Sequence, residues 1–285
     1  MHLDLAVFHA VNGLCGNWLL DRIAAYEENN FFFKGAVFLT LYWWFWFAPE
    51  QDRRLRNRQI IIAAIIGAVV ALALNRALAA ALPFRVRPMY AAGIGYHAPS
   101  LAFAVNLEKW NSFPSDSATY WFALSCGLFR LNRPLGVAAM LYSALWMCLV
   151  RLYLGIHYPS DLLAGAVLGV VVVWAVAWLM ARQGALAKFL MSRLTIAEHD
   201  HPQLFYAVAF VISFELTVMF DDLRDLVRTA MHVLGAAGYR GVGEGDTLFL
   251  VAGAVLLLAA VGYASVLWRR RRRPPAHHPR KLSTP

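Results

Sequence analysis

Residues 162–181 read LLAGAVLGVVVVWAVAWLMA, a run of twenty residues without a charged side chain. About 20 apolar residues make a helix long enough to cross the hydrocarbon core of a bilayer. The whole chain shares this character, because its 285 residues are 60% hydrophobic and only 15% charged, with a mean hydropathy of +0.53. An ordinary soluble domain carries roughly 25% charged residues. The composition therefore predicts an integral membrane protein and argues against a soluble one.

Six further apolar runs accompany this segment, and each is long enough, or nearly so, to cross a bilayer. The seven runs are Phe31–Ala48, Ile60–Leu82, Ser117–Leu131, Leu135–Leu149, Leu162–Ala181, Leu204–Phe220 and Thr247–Trp268. Residues 1–30 instead mix apolar and polar side chains, which is typical of an amphipathic helix at the membrane surface. We therefore predict an all-α fold, a polytopic membrane helix bundle of about seven spans with an N-terminal interfacial helix.

The net charge of +9 is concentrated in basic segments that alternate with the spans. Seven spans place all of these segments on one side, which must be the cytoplasm because cytoplasmic loops are rich in Lys and Arg. The segments are 49–59, 130–133, 182–193 and 269–273. This topology predicts a multi-pass protein of the inner (plasma) membrane with a cytoplasmic C-terminus. Because orientation accounts for the basic charge, we expect no nucleic-acid partner.

The opposite connections, 83–113, 150–160 and 221–246, then face the periplasm or the exterior. Along the chain we distinguish four parts: an interfacial segment, a transmembrane core, a C-terminal transmembrane addition and a basic cytoplasmic tail. Their limits are 1–30, 31–182, 183–268 and 269–285. A polar stretch at 195–202 is interpreted as a hinge before the last two spans.

Three polar clusters lie at the outer ends of the predicted spans. They contain Arg85 and Arg87-Pro88, then the stretch 112–117 (SFPSDS), and then Arg151, His157 and Asp161. Guanidinium groups bind phosphoryl oxygens through forked hydrogen bonds, and the free amides at the start of a helix also attract anions. The clusters therefore predict a phosphate site formed by Arg87, Arg151 and a helix start at Ser115, Asp116 and Ser117.

His157 stands four residues before Asp161, one turn apart if this segment is helical. In that arrangement the carboxylate of Asp161 would hold one ring nitrogen of His157 and increase the basicity of the other. A histidine placed in this way can attack phosphorus and form a phosphohistidine. We therefore predict His157 and Asp161 as the catalytic pair. The sequence contains no His/Cys cluster that suggests a metal, and we expect no cofactor.

The order and spacing of these clusters resemble the type 2 phosphatidic acid phosphatases, a family related to the vanadium haloperoxidases. That family carries Lys-x6-Arg-Pro, then Pro-Ser-Gly-His, then Ser-Arg-x5-His-x3-Asp. This chain matches the patterns at Arg87-Pro88, at Pro114-Ser115 and at Arg151, His157 and Asp161. The resemblance covers residues 1–180, and the opening DLAVFHAVNGLCGNWLLD also looks like bacterial undecaprenyl-diphosphate phosphatases. It implies a His157 nucleophile, an Asp161 partner, and phosphate binding by Arg87, Arg151 and Ser115, without a metal.

The chain departs from the family patterns at four positions. Ala80 replaces the lysine, Asp116 the glycine, Ser117 the histidine, and Val150 the serine before the arginine. The replaced histidine is the family's general acid, which protonates the leaving oxygen, and a serine hydroxyl cannot do this near pH 7. Losing a general acid typically costs ~10²–10⁴-fold in rate.

Three interpretations of these departures stay open. In the first, other groups substitute: His97 for the acid, and Arg76 or Arg85 for the lysine. In the second, the leaving group is itself a phosphate, which needs less protonation than a lipid alkoxide. In the third, hydrolysis is lost and the site only binds a phospholipid or polyprenyl phosphate.

The leading expectation is a membrane lipid phosphatase that hydrolyses a lipid phosphate or diphosphate, with a polyprenyl diphosphate favoured. It would act at the periplasmic face through a phosphohistidine, with membrane lipids around it and an oligomeric state left open. The alternatives are a catalytically impaired protein that binds or transports such a lipid, and a lipid phosphotransferase that uses the same residues.

Overall fold

A computed structural model of the chain describes residues 2–30, 32–101, 107–182 and 184–222, together with residue 226. Residues 1–222 form one compact unit, and residues 223–285 form a second. The predicted seventh span Thr247–Trp268, the basic tail and nearly all of the connection 221–246 lie outside the described residues.

The described part of the chain consists of α-helices and shorter helical turns, without a β-strand. This confirms the all-α prediction. The α-helices are α1 (His2–Asn12), α2 (Trp18–Asn29), α3 (Val37–Trp46), α4 (Gln51–Ala81), α5 (Asp116–Leu131), α6 (Arg133–Tyr142), α7 (Leu149–Tyr153), α8 (Pro159–Arg182), α9 (Gly184–Asp200) and α10 (Pro202–Thr217). A π-helical turn, Phe32–Ala36, precedes α3, and a second one, Ser143–Cys148, joins α6 to α7.

Three helical segments are long and apolar enough to cross a membrane, judged by length and composition. They are Gln51–Ala81, Arg133–Tyr153 and Pro159–Arg182. The predicted run at 117–131 forms α5, which has only 16 residues, and the run at 204–220 forms the short apolar helix α10. Seven spans therefore remain a prediction, of which the described residues provide three.

Two segments predicted as connections are helical instead. Most of the basic segment 49–59 forms the first turns of α4, and the stretch 195–200 continues α9 to Asp200. Arg58 is consequently not a loop residue. It is buried, and its guanidinium donates to both carboxylate oxygens of Glu198, at 2.5 and 3.0 Å. This ion pair between polar residues of the two segments joins α4 to α9.

Helices α4, α5 and α8 pack against one another and form the centre of the described unit. Small residues permit this close approach, as they do in other membrane helix pairs. Gly165 and Gly169 of α8 lie against backbone atoms of Ser115 and Thr119 in α5. The opposite side of α8 is exposed and apolar at Leu163, Val167, Val171, Trp174 and Trp178, as expected for a surface that faces lipid.

The close contact at Gly169 leads to a stability prediction. A Cβ added at Gly169 would overlap the carbonyl oxygen of Thr119, and rigid helix backbone cannot yield as a flexible side chain can. We expect Gly169→Ala to destabilise the protein by about 1–3 kcal/mol, the usual cost of overpacking. Thermal unfolding in detergent measures this effect. The matched control is Gly184→Ala, where nothing lies within 4 Å of the added atom. Equal melting temperatures for both variants would contradict the close packing.

The N-terminal helix α1 packs on α7 and α8, and α2 packs on α7. Phe8 is fully buried against Ala118, Leu152 and Leu162. The amide of Asn12, also fully buried, donates to the backbone carbonyl of Tyr153 at 2.9 Å. The mixed polar and apolar pattern that predicts an interfacial segment thus corresponds, in part, to a surface that contacts the rest of the protein.

Candidate active site

The three predicted clusters meet at one end of the bundle. The backbone amide of Ser115 donates to the carbonyl of Asp161 at 3.1 Å, and the amide of Ser112 donates to the carbonyl of Arg85 at 3.0 Å. Between α7 and α8 the chain turns at Gly155, whose φ of +71° lies in the left-handed region that favours glycine. These contacts bring His157, which follows this turn, next to the segment that precedes α5.

His157 is buried and has a defined tautomer. Its Nδ1 lies 2.9 Å from the backbone carbonyl oxygen of Ser112, which can only accept a hydrogen bond. Nδ1 must therefore carry the proton, and Nε2 of the neutral ring carries the lone pair, which accepts from Arg87 Nη1 at 3.2 Å. Burial lowers the pKa of His157 below its ordinary 6.5, by more than the nearby Asp161 carboxylate raises it. The ring is thus neutral at physiological pH, as a nucleophile requires.

The structure corrects the predicted contact between His157 and Asp161. Helix α8 begins at Pro159, so His157 precedes the helix, and the one-turn geometry does not apply. The Oδ2 atom of Asp161 lies 3.7 Å from Nδ1 and instead accepts hydrogen bonds from the Ser112 hydroxyl at 2.6 Å and the Tyr158 amide at 2.9 Å. Asp161 therefore fixes the segment whose carbonyl orients the histidine.

Arg87 lies directly beside the nucleophile candidate. Its Nη1 is 3.2 Å from His157 Nε2 and donates to the carbonyl of Ile156 at 3.1 Å. Further donors of the guanidinium point to the carbonyls of Trp110 at 3.3 Å and Asn111 at 3.4 Å. Burial lowers its pKa to about 10, so Arg87 remains a cation at neutral pH. A cation held by backbone carbonyls at this position can stabilise negative charge on a phosphoryl group.

Arg151, the second predicted phosphate ligand, is held by a carboxylate from α2. Its Nη1 lies 2.9 Å from Oε1 and 2.8 Å from Oε2 of Glu28. Arg151 also interacts electrostatically with Asp116, so both belong to one group of charges. Sequence reasoning missed Glu28, because no pattern connects a residue near the N-terminus with the end of α7.

The start of α5 has the predicted capping geometry. Ser115 is the N-cap, is fully buried, and accepts from the amide of Ala118 at 3.4 Å. Asp116 directs one carboxylate oxygen to the amide of Ser117 at 2.7 Å and the other to Nη2 of Arg76 at 2.5 Å. The Ser117 amide, in the first turn of the helix, is therefore occupied by a side chain of the same helix.

The three residues proposed to replace the acid and the lysine of the family patterns occupy different positions. Arg76 lies in the site beside Asp116, with its guanidinium 4.5 Å from the ring centre of Trp110. Arg85 bridges Asp161, at 2.5 Å, and Asp4, at 2.8 Å, so it supports Asp161. His97 is exposed, and its backbone N–H and C=O form hydrogen bonds with the Asn12 side chain. The geometry thus favours Arg76 and gives no support to His97 as an acid.

An apolar groove of about 490 Å³ begins beside these polar residues. It runs along the membrane-facing surfaces of α4 and α8, and its lining includes Leu78, Phe113, Pro114, Leu163 and Val167. Phe113 and Pro114 directly precede the N-cap of α5, so the groove adjoins the polar residues at the start of α5. Within the described residues, no group of three or more His, Cys, Asp and Glu side chains is arranged to hold a metal ion.

Comparison with known proteins identifies sequence relatives of this chain. Residues 83–185 match the model of the PAP2 superfamily. The chain is 27% identical over 183 residues to the Bacitracin transport permease protein BcrC of Bacillus licheniformis, which covers 62% of this chain and 80% of that protein. It is 28% identical over 171 residues to Undecaprenyl-diphosphatase BcrC of Bacillus subtilis (strain 168). This alignment covers 60% of this chain and 80% of that protein.

A third relative is Glucose-6-phosphatase catalytic subunit 1 of Haplochromis nubilus, 30% identical over 156 residues, which covers 47% of this chain and 43% of that protein. No solved structure shows significant similarity to the chain. The matched segment 83–185 contains Arg87, Ser115, Arg151, His157 and Asp161, the residues on which the resemblance depends. This segment therefore carries the similarity of the chain to the PAP2 superfamily.

Proposed function

We propose that this protein is a membrane lipid phosphatase that acts through a phosphohistidine on His157. The observation that carries the proposal is the buried, neutral imidazole whose Nε2 lone pair lies 3.2 Å from the Arg87 guanidinium. Nε2 attacks phosphorus, and the bond from phosphorus to the leaving oxygen breaks. Water then attacks the phosphohistidine, which releases phosphate and restores the free ring.

Each neighbouring residue has a defined part in this proposal. Arg87 and Arg76 stabilise the negative charge of the phosphoryl oxygens, and the carbonyl of Ser112 keeps the proton on Nδ1. Asp161 and Arg85 are positioning residues, since they fix Ser112 and the start of α8 without reaching the reacting atoms. Arg151 donates to the Glu28 carboxylate and, in this proposal, also donates a hydrogen bond to a phosphoryl oxygen of the bound substrate.

We infer that a lipid diphosphate is the preferred substrate class, with a polyprenyl diphosphate as the leading candidate. Ser117 supplies no general acid, and a departing phosphate needs less protonation than an alkoxide. The Bacillus subtilis relative is named an undecaprenyl-diphosphatase. The apolar groove beside Pro114 offers a surface for the hydrocarbon chain of such a lipid. The basic segments favour a periplasmic or exterior site, with the C-terminus in the cytoplasm.

Phosphate release by the purified protein tests this substrate class. We expect kcat/KM for undecaprenyl diphosphate to exceed that for phosphatidic acid at least ~10-fold, because only the monoester requires a strong general acid. Both lipids are presented in the same detergent, and glucose 6-phosphate serves as a soluble ester without a hydrocarbon chain. A higher rate on phosphatidic acid than on the diphosphate would contradict the assignment.

The second candidate function is binding or transport of a lipid phosphate without hydrolysis. It is favoured by the replacement of the family acid by Ser117 and by the two carboxylates that already engage Arg76 and Arg151. A relative is also named a bacitracin transport permease protein. Lipid binding without phosphate release from any lipid in the panel would support this candidate over the phosphatase.

A further inference from the structure

We propose that Asp116 is an internal competitor for the phosphate group, so that a substrate must displace its carboxylate from Arg76 and from the Ser117 amide in the first turn of α5. The proposal rests on the proposed function, because it concerns the same phosphate site. It assigns to Asp116 the control of oxyanion affinity. It thereby replaces the sequence prediction that Asp116 is itself a phosphate ligand.

The two hydrogen bonds of the carboxylate carry the argument. Its Oδ2 accepts from Arg76 Nη2 at 2.5 Å, and its Oδ1 accepts from the Ser117 amide at 2.7 Å. A guanidinium and a free helix amide are the donors that a phosphate oxygen would otherwise use. The side chain of Asp116 therefore already satisfies two anion-binding groups of the site.

The charge of Asp116 also lies among the other cations of the site. It interacts electrostatically with His157, Arg87 and Arg151 as well as with Arg76. A phosphate that approaches these groups meets a carboxylate of the same sign, and like charges at close range disfavour each other. The pattern Pro-Ser-Gly-His has a glycine at this position, which has no side chain that could compete.

The ion pair can open without disturbing the fold. The side chains of Arg76 and Asp116 are 14% and 21% exposed, so solvent and substrate reach both. The cap of α5 is formed by Ser115, whose hydroxyl accepts from the Ala118 amide independently of Asp116. Arg76 is additionally supported by the Trp110 ring, which keeps its guanidinium at the site when the carboxylate leaves.

The test is binding of orthovanadate, an analogue of phosphate, to the full-length purified protein by calorimetry. We expect Asp116→Asn to bind orthovanadate about tenfold more tightly than wild type, a factor typical of one charge-assisted hydrogen bond. Asp116→Gly, which removes the side chain altogether, should tighten binding at least as much. In an Arg76→Ala background the gain should be smaller, because one of the two donors for which Asp116 competes is then absent.

Asp52→Asn is the matched control. It removes one negative charge from an exposed position near the opposite end of α4, so binding should not change. Unchanged or weaker binding in both Asp116 variants overturns the proposal, as does a gain of undiminished size without Arg76. If wild type hydrolyses lipid while the Asp116 variants show no gain, this inference fails and the phosphatase assignment stands. If the gain appears although no lipid is hydrolysed, the inference stands and the assignment fails.

Discussion

Replacement of His157 by Ala is expected to lower kcat for lipid phosphate release by about 10⁴-fold or more, as does loss of other covalent nucleophiles. The phosphohistidine cannot form without Nε2. The measurement is phosphate release from undecaprenyl diphosphate under conditions that saturate the wild-type protein. Trapping of phosphoprotein after brief exposure to labelled substrate provides a second readout, which should be positive only for wild type.

His97→Ala is the matched control for this experiment. It removes an exposed ring while the backbone bonds of residue 97 to Asn12 remain. We expect this variant to retain activity within about twofold, since an exposed loop ring contributes little. A loss in His97→Ala of the size expected for a general acid would restore that residue as the substitute acid. Activity that survives His157→Ala in a correctly folded protein would exclude the phosphohistidine mechanism.

Restoration of the family acid by Ser117→His is expected to increase kcat on phosphatidic acid by about 10²-fold, at the lower end of the range for a general acid. The effect on undecaprenyl diphosphate should be no more than a few-fold, because its leaving phosphate is a weak base. Position 117 suits an acid, since its hydroxyl lies 3.5 Å from an Asp116 carboxylate oxygen that would stabilise an imidazolium. The preference for the diphosphate should therefore shrink.

Ser117→Asn is the control that distinguishes protonation of the leaving oxygen from the effect of a larger side chain at position 117. This side chain is polar and of similar reach but does not titrate, so it should give no gain on either lipid. Equal gains for Ser117→His on both lipids would mean that protonation does not explain the substrate preference. No gain on phosphatidic acid would show that another group already supplies the proton.

Much of this protein could be predicted from residue type and spacing. The uncharged run at 162–181 predicted a long helix, and α8 confirms it from Pro159 to Arg182. The spacing of Arg151, His157 and Asp161 identified the family, which the match over 83–185 confirms. The cap at Ser115 was also predictable, because serine followed by a helix start is a local pattern.

The number of spans was harder to predict from the sequence, because an apolar run does not show where its helix begins and ends. Residues 49–59 and 195–202 are polar yet mostly helical, since their side chains find partners on other helices, as Arg58 does with Glu198. The sequence does not distinguish a polar residue that is paired with another side chain in the fold from one that is exposed to water. These segments are therefore mostly helical, and within 195–202 the helix is interrupted only at His201, between α9 and α10.

By itself the sequence determined the helical membrane character and the family resemblance, because each depends on composition or on a short spacing. It also predicted His157 as the nucleophile from the spacing of Arg151, His157 and Asp161. Only the tertiary structure decided that the Ser112 carbonyl orients His157, that Glu28 holds Arg151, and that Asp116 engages Arg76. These contacts join residues 45, 123 and 40 positions apart, and one of them uses a backbone atom that every residue type shares. Interactions of that kind depend on how helices pack, which no local pattern of residues records.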